Sequence, residues 1–470
     1  MTQVEHLASF AVRASYDDLS LASIQELKGR VLDAMGCALG ALDAEPIRLL
    51  AAQVDEFGGA ALCTLIGDGR TAPDRAALYN SALVRYLDFN DTYLAKGEAC
   101  HPSDNLGAVL AAAEYAGRGG REFLTALAVA YQVQCRLCDV APVRAKGFDH
   151  VTQGAYAVAA GVARALGLDE FHAAHALAIC GTAFNALQVT RTGVLSHWKG
   201  LAYPNTAFAC THAAFLAMRG ITGPLEVFEG NKGFMESIAG PFTIDWSRED
   251  LQRVTRTIVK KYNAEAHAQS VLEAACELRQ QHGFMPEQIA RIDIETFDAA
   301  YHIIGGGQEG DKTVVHTKEQ ADHSMPYLVA VVLLDGQVTP EQFRQERIER
   351  RDVQNLLRKV AVRPVDAYSR QFPDQMPCRL TITLADGRAL LKEKQDYEGY
   401  HTRPMSWEAI VRKFNELGAP HADASLRAAI VQAVADLETI PVAELTGLLS
   451  AARRSRPTGE ETGKRAFAGV

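Results

Sequence analysis

The side chains able to do chemistry gather in five polar islands within an otherwise apolar sequence. The densest is residues 88–105, DFNDTYLAKGEACHPSDN, which brings Asp88, Asn90, Asp91, Thr92, Lys96, Glu98, His101, Ser103, Asp104 and Asn105 into one stretch. GFDHVTQG carries His150, and TRTGVLSHWKGLAYPN carries Arg191, His197, Lys199 and Asn205. VKKYNAEAHAQS holds Lys260, Lys261, Glu265 and His267, and EQADHSMPYLVAVVLLDG holds Asp322, His323 and Tyr327. Imidazoles near carboxylates suit proton transfer close to neutral pH. Lys and Arg at the start of a helix suit a bound carboxylate. The bland alternative is a solvated loop of Asx-turns and helix caps, and a lone His is more often structural than functional. Recurrence of the same polar character in five places tilts the balance toward a site, and Trp198 beside Lys199 argues against a merely solvated cation.

Other signatures are weaker. Cys135 and Cys138 have CxxC spacing, but they sit in a helical pattern with no second pair, and no third thiol is offered by spacing, so neither a metal nor an iron–sulfur site is expected. His172 and His175 lack an HExxH context. There is no GxGxxG after a strand and no P-loop, so no nucleotide cofactor is expected. Nine cysteines in a long chain do not form a disulfide framework. A formal charge of −9 argues against nucleic acid or an anionic membrane as partner, so an anionic substrate needs a local cluster of cations. No secretory pattern opens the chain and no apolar run is long enough to span a bilayer, which points to the cytoplasm.

These islands must be held by elements the periodicity lays out. With 470 residues two domains are expected. Ala-rich segments at 106–118, 122–138, 153–166, 170–183 and 205–219 carry apolar residues at three and four spacing, so the first part reads as helical. Near 288 the pattern turns to alternation, with strands at 289–296 and 358–364 and a hairpin at 379–395 turning on Asp386-Gly387. Helical spacing returns after Pro404, with Ser406 as an N-cap. The expected fold is mainly α: a large all-helical domain from 1–265 and 403–455, an α+β lid at 266–402, and a flexible tail at 456–470.

Three of the islands, LDFNDTYLAKGEACHPSDNLG, AEAHAQS and ADHSMPYLVAVVLLDG, resemble the MmgE/PrpD family, whose members include 2-methylcitrate dehydratase, cis-aconitate decarboxylase and iminodisuccinate epimerase. The resemblance runs from about residue 5 to 450. It implies a cofactor-independent, metal-free site in the cleft between helical domain and lid, a small polycarboxylate substrate and a homodimer. By motif, the family's site positions fall on Asp88, Thr92, His101, His150, Lys199, Lys260, Glu265 and Tyr327. Glu265 matches the dehydratases, whereas decarboxylase-like members tend to have His there. The TRTGVLSHWKG stretch departs from the dehydratase pattern, and the segment IIGGGQEGDKT is Gly-rich where related dehydratases carry more Lys. The implied reaction is dehydration of a citrate-like acid, 2-methylcitrate to 2-methyl-aconitate, with decarboxylation, epimerisation and a non-catalytic scaffold as alternatives. His101 and His150 are then the acid–base pair, Asp88 orients His101 with support from Thr92, and Lys199, Lys260 and Arg191 clamp carboxylates in a positively charged chamber. Tyr327 donates from the lid.

Overall fold

The computed structural model describes residues 1–193 and 195–454; the tail expected over 456–470 lies outside the described residues. Helices dominate, and buried apolar side chains fall into two main clusters. The larger gathers residues from Val4 to Val254 and from Ile410 to Ala452, the second chiefly those from Ile258 to Tyr400.

The larger cluster is built on α1 (Gln3–Arg13), α2 (Leu21–Gly40), α3 (Glu45–Phe57), α4 (Pro73–Tyr86), α5 (Leu106–Tyr115), α6 (Gly120–Val140), α7 (Val151–Leu166), α8 (Glu170–Ala183) and α9 (Trp198–Met218). Ala and Gly on the facing sides let the axes approach closely, and α7 packs on α6, α8 and α9. Gly154 shows how tight this is: a Cβ there would lie 2.4 Å from Cε2 of Tyr203. The part expected to be all-helical is not quite so. Two antiparallel hairpins interrupt it, β1 (Cys63–Leu65) with β2 (Gly69–Thr71) and β3 (Tyr93–Ala95) with β4 (Glu98–Cys100). Gly67 and Gly97 take positive φ in the turns, which relaxes the chain reversal. The run 88–105 is therefore partly a hairpin.

The second cluster packs α10 (Gln269–His282) and α11 (Met325–Asp335) against a four-stranded sheet of β5 (Ile289–Thr296), β6 (Val360–Pro364), β7 (Cys378–Leu384) and β8 (Ala389–Lys394). The order is β6-β5-β7-β8, with only β5–β6 parallel. Alternate residues of β7, from Cys378 to Leu384, are buried, as a half-covered strand requires. The chain then returns to the first cluster: α12 (Trp407–Gly418), capped by Ser406 Oγ, packs on α2, and α13 (Ala424–Ala435) and α14 (Val442–Ser450) follow. No helix among the described residues is long and apolar enough to cross a membrane.

Two devices tie the clusters together beside the first island. Thr92 and Ile258 exchange main-chain hydrogen bonds of 3.0 and 2.8 Å. Lys413 of α12 donates to the carbonyls of Phe89 and Lys260 at 2.8 and 2.9 Å and pairs with Asp33 at 2.6 Å.

The Gly154 contact makes a stability prediction. Tyr203 is wholly buried and its hydroxyl donates to Asn105 Oδ1 at 2.9 Å, so the ring has little freedom to move. Gly154→Val should lower the free energy of unfolding by about 2–3 kcal/mol, because overpacking outweighs the small gain in helix propensity. Urea titration followed by circular dichroism checks this, and an unchanged midpoint would show that α7 and α9 can separate freely.

Candidate active site

The islands converge. Asp88, Thr92, His101, His150, Arg191 and Glu265 line one small cavity of about 60 Å³ between the two clusters, together with Arg85, Glu98, Arg144, Gln188, His267, Glu309 and His323. A larger cavity of about 860 Å³ lies near α12 and Phe343, but it lacks these histidines, so chemistry rather than size locates the site.

Local folding sets each group. Helix α4 ends at Tyr86, and the chain turns through Asp88 at φ 54°, a left-handed conformation that Asp tolerates better than most residues. The turn returns the Asp88 carboxylate to Arg85, whose Nη1 lies 2.7 Å from Oδ1. Asp91 is buried and fixed by Ser103 N at 3.0 Å and Tyr131 OH at 2.8 Å. Its main-chain carbonyl then accepts from Nδ1 of His101 at 2.8 Å, with Thr92 Oγ1 at 3.1 Å. A carbonyl only accepts, so Nδ1 carries the proton and Nε2 presents a lone pair, unpartnered among the described residues. Burial, then the charges of Arg85 and Lys260, hold this imidazole well below the usual histidine range despite Asp88.

His150 has the complementary arrangement. Its Nε2 lies 3.3 Å from Nη2 of Arg191, and a guanidinium only donates. Asp149 Oδ1 also lies 3.4 Å from Nε2, but the hydrogen bond there is the one from Arg191, which assigns the ring's own proton to Nδ1, buried and unpartnered among the described residues. Burial pushes His150 down to about 3 against the pull of Asp149, with Arg191, Arg85 and Arg144 acting in the same direction as burial. The two rings meet edge to face at 5.4 Å, and Tyr203 stacks behind His150 at 6.1 Å.

Behind the rings lies a buried charge network. Lys199 Nζ reaches Asp88 Oδ2 at 3.2 Å, Asp322 Oδ1 at 2.9 Å and His323 Nδ1 at 3.0 Å. Lys260 Nζ donates to Asp88 Oδ1 and to its main-chain carbonyl, both at 2.7 Å, and Lys318 holds Asp322 Oδ2 at 2.7 Å. Burial would raise the Asp88 carboxyl, but Arg85, Lys260 and Lys199 together hold it well below its ordinary value. Asp88, Asp322 and His323 have the composition of a cation site, and the ammonium of Lys199 already stands among them.

Two carboxylate–imidazole pairs complete the wall. Asp322 Oδ1 lies 2.6 Å from His323 Nδ1, and Glu265 Oε1 lies 2.7 Å from His267 Nδ1. Burial opposes ionisation of Glu265, but the charge and hydrogen bond of His267, then His323 and Lys260, bring it down to about 2.

Several expectations need correction. Tyr327 is not at the cavity: it lies buried in the second cluster and its hydroxyl donates to the carbonyl of Gln342. Asp88 does not orient His101; the carbonyl of Asp91 does, because the left-handed turn sends the Asp88 carboxylate to Arg85 and the lysines. Lys260 is fully buried and committed to Asp88 rather than lining the cavity, and Lys199 is likewise enclosed. Lys199 owes its burial to the helix, not to Trp198: consecutive residues face different ways, and Trp198 is half exposed. Arg191 lines the cavity but holds Asp149 Oδ2 at 2.7 Å. The chamber is thus not a pool of free cations. Arg85, Arg144, Arg191, Lys199 and Lys260 each face a carboxylate. Cys100 joins Cys135 and Cys138 in one buried cluster, a third thiol that spacing did not offer, brought there because β4 packs on α6. Burial pushes all three above the ordinary thiol value, Cys138 to about 11, which keeps the free thiols protonated.

Arg85, Arg144 and Glu309 line the cavity without having been singled out. Arg85 was the most accessible from sequence, standing three residues before Asp88 at a helix end. Arg144 and Glu309 meet only through the fold.

Two family models match the chain: the MmgE/PrpD N-terminal domain over residues 5–247 and the MmgE/PrpD C-terminal domain over residues 262–439. The chain is 29% identical over 455 residues to a 2-methylcitrate dehydratase of Cupriavidus necator, covering 88% of this chain and 90% of that protein. It is 26% identical over 405 residues to 2-methylcitrate dehydratase of Salmonella typhi, covering 79% and 81%. Against cis-aconitate decarboxylase of Mus musculus it is 26% identical over 411 residues, covering 83% and 81%. With both family domains matched in order along one chain, and the residues that carried the resemblance lining a shared cavity, the chain belongs to the MmgE/PrpD family.

Proposed function

We propose that the chain is a hydro-lyase that removes water from a citrate-like tricarboxylate, most specifically 2-methylcitrate to give 2-methyl-aconitate. The observation that carries this reading is the complementary pair of rings: His101 with a free Nε2 lone pair and His150 with an unspent Nδ1–H, 5.4 Å apart on one cavity. Relatives named 2-methylcitrate dehydratase support the substrate class. The lid reading of residues 266–402, the homodimer and a cytoplasmic location belong to the same proposal, with the homodimer resting on the family resemblance alone.

In this reading His101 Nε2 takes the proton from the carbon next to a carboxylate. The imidazolium formed is favoured by the nearby Asp88 charge. Negative charge grows on the adjacent carboxylate, where the His150 Nδ1–H and the guanidinium groups of Arg191 and Arg144 offset it. His101 then returns its proton to the departing hydroxyl, which leaves as water, so one ring serves as base and then acid and no net proton is consumed. Keeping His150 neutral matters here. A neutral imidazole donates a hydrogen bond without first having to lose a charge.

Purified protein incubated with 2-methylcitrate, citrate and cis-aconitate, with and without chelator, tests the reaction. Conjugated-alkene absorbance should rise with 2-methylcitrate; carbon dioxide from cis-aconitate would indicate a decarboxylase instead, and no change with any acid would leave a scaffold. His101→Ala should lower kcat by about 10² or more with the thermal midpoint little changed. Lys199→Ala should lose activity together with about 3–5 kcal/mol of stability, because Asp88 and Asp322 would be left short of a buried counter-ion. The pH profile has a defined sign. A base held below the usual histidine range is already deprotonated at neutrality, so kcat/KM should be flat from about pH 6.5 to 8 and fall only on the acid side. A limb centred at pH 7 or above would contradict His101 as the base.

A further inference from the structure

The histidine cavity has a neighbour of about 200 Å³, and one ion pair stands between them. Both cavities are lined by Glu98, Ala99, Arg144, His267, Ile303 and Glu309. Arg144 Nη2 donates to Glu309 Oε1 at 2.5 Å. The two residues come from different clusters and are mounted differently. Arg144 belongs to the loop before α7, and its main-chain N–H is fixed on Glu98 Oε2 at 3.0 Å. Glu309 rides on the segment 305–310, where Gly306 and Gly310 both take positive φ, and its carboxylate has no other hydrogen-bond partner among the described residues. The cation therefore faces a carboxylate held by this one side-chain contact.

A citrate-class acid is too large for a cavity of about 60 Å³ alone, and the neighbour of about 200 Å³ is the space beside it. Room for it requires the partition to open. We propose that Arg144 forms a carboxylate subsite which Glu309 fills when no substrate is present, and that a substrate carboxylate displaces Glu309 and joins the two cavities. The inference rests on the polycarboxylate reading given above. Glu309 then sets specificity: only an acid whose carboxylate reaches Arg144 replaces the internal one. The side chains of the pair are 29% and 12% exposed, and a partly hydrated ion pair of this kind is weak enough to be exchanged.

Tricarballylate, a tricarboxylate with no hydroxyl to lose, is a suitable probe because its binding needs no turnover. Calorimetric titration would compare the unaltered chain with Glu309→Gln, Arg144→Gln and the double variant. Glu309→Gln should bind the probe about three- to tenfold more tightly, since the competitor is gone. Less than half of that gain should remain in the Arg144→Gln background, because the subsite itself is lost. Should Arg144→Gln fail to fold, Arg144→Met takes its place. The subsite is refuted by affinity within twofold of the unaltered chain, by a gain that persists without Arg144, or by no binding in any variant. A chain that shows the Arg144-dependent gain yet converts none of the three acids loses the proposed reaction but keeps the subsite. A chain that turns an acid over with no such gain loses the subsite alone.

Discussion

Everything at the cavity depends on how the protein keeps charge inside itself. Asp88, Asp322, Lys199 and Lys260 are all buried, and taking an unpaired ion of this kind out of water costs several kcal/mol. The fold meets that cost by interleaving the signs. Lys199 lies between Asp88 and Asp322, Lys260 closes on Asp88, and Lys318 closes on Asp322. Asp88 belongs to the turn after α4, Lys199 to α9, Lys260 to the crossover between clusters, and Asp322 to the second cluster. Satisfying these four charges therefore brings four distant parts of the chain to one place.

The network also explains why the histidines are neutral. It keeps its cations close to the rings, and Arg85 and Lys260 act with burial to disfavour an imidazolium at His101. Main-chain and guanidinium partners then choose the tautomers, a carbonyl at His101 and Arg191 at His150. The lysines thus prepare the site electrostatically without having to touch a ligand. The cavity is lined by imidazoles and guanidinium ions interleaved with the carboxylates of Asp88, Glu98, Glu265 and Glu309.

Much of this was legible in sequence because polar residues are rare within the Ala-rich helices, so Asp88, His101, His150, Lys199 and Glu265 stood out. The strands of the second cluster were equally plain, since β5 and β7 alternate. What could not be read was direction. Asp88 was expected to serve His101, but its left-handed turn sends it to the lysines, a feature that only backbone geometry reveals. Tyr327 lies in a cavity motif by resemblance, yet α11 is apolar on nearly every side and draws the ring inward. The hairpins at 63–71 and 93–100 were hidden because strands of three residues are too short to show a period. The Arg144–Glu309 pair spans 165 positions and leaves no local signal at all.

The central claim is that two neutral rings, each protonated on Nδ1, line one cavity, His101 with a free Nε2 lone pair. Nitrogen-15 NMR of histidine-labelled protein, with the two rings assigned by His101→Gln and His150→Gln, reads both tautomer and charge directly. The account requires both rings to be neutral and protonated on Nδ1 at pH 7, with both titrating below the usual histidine range. An imidazolium at either position at pH 7, or a proton on His101 Nε2, would contradict it.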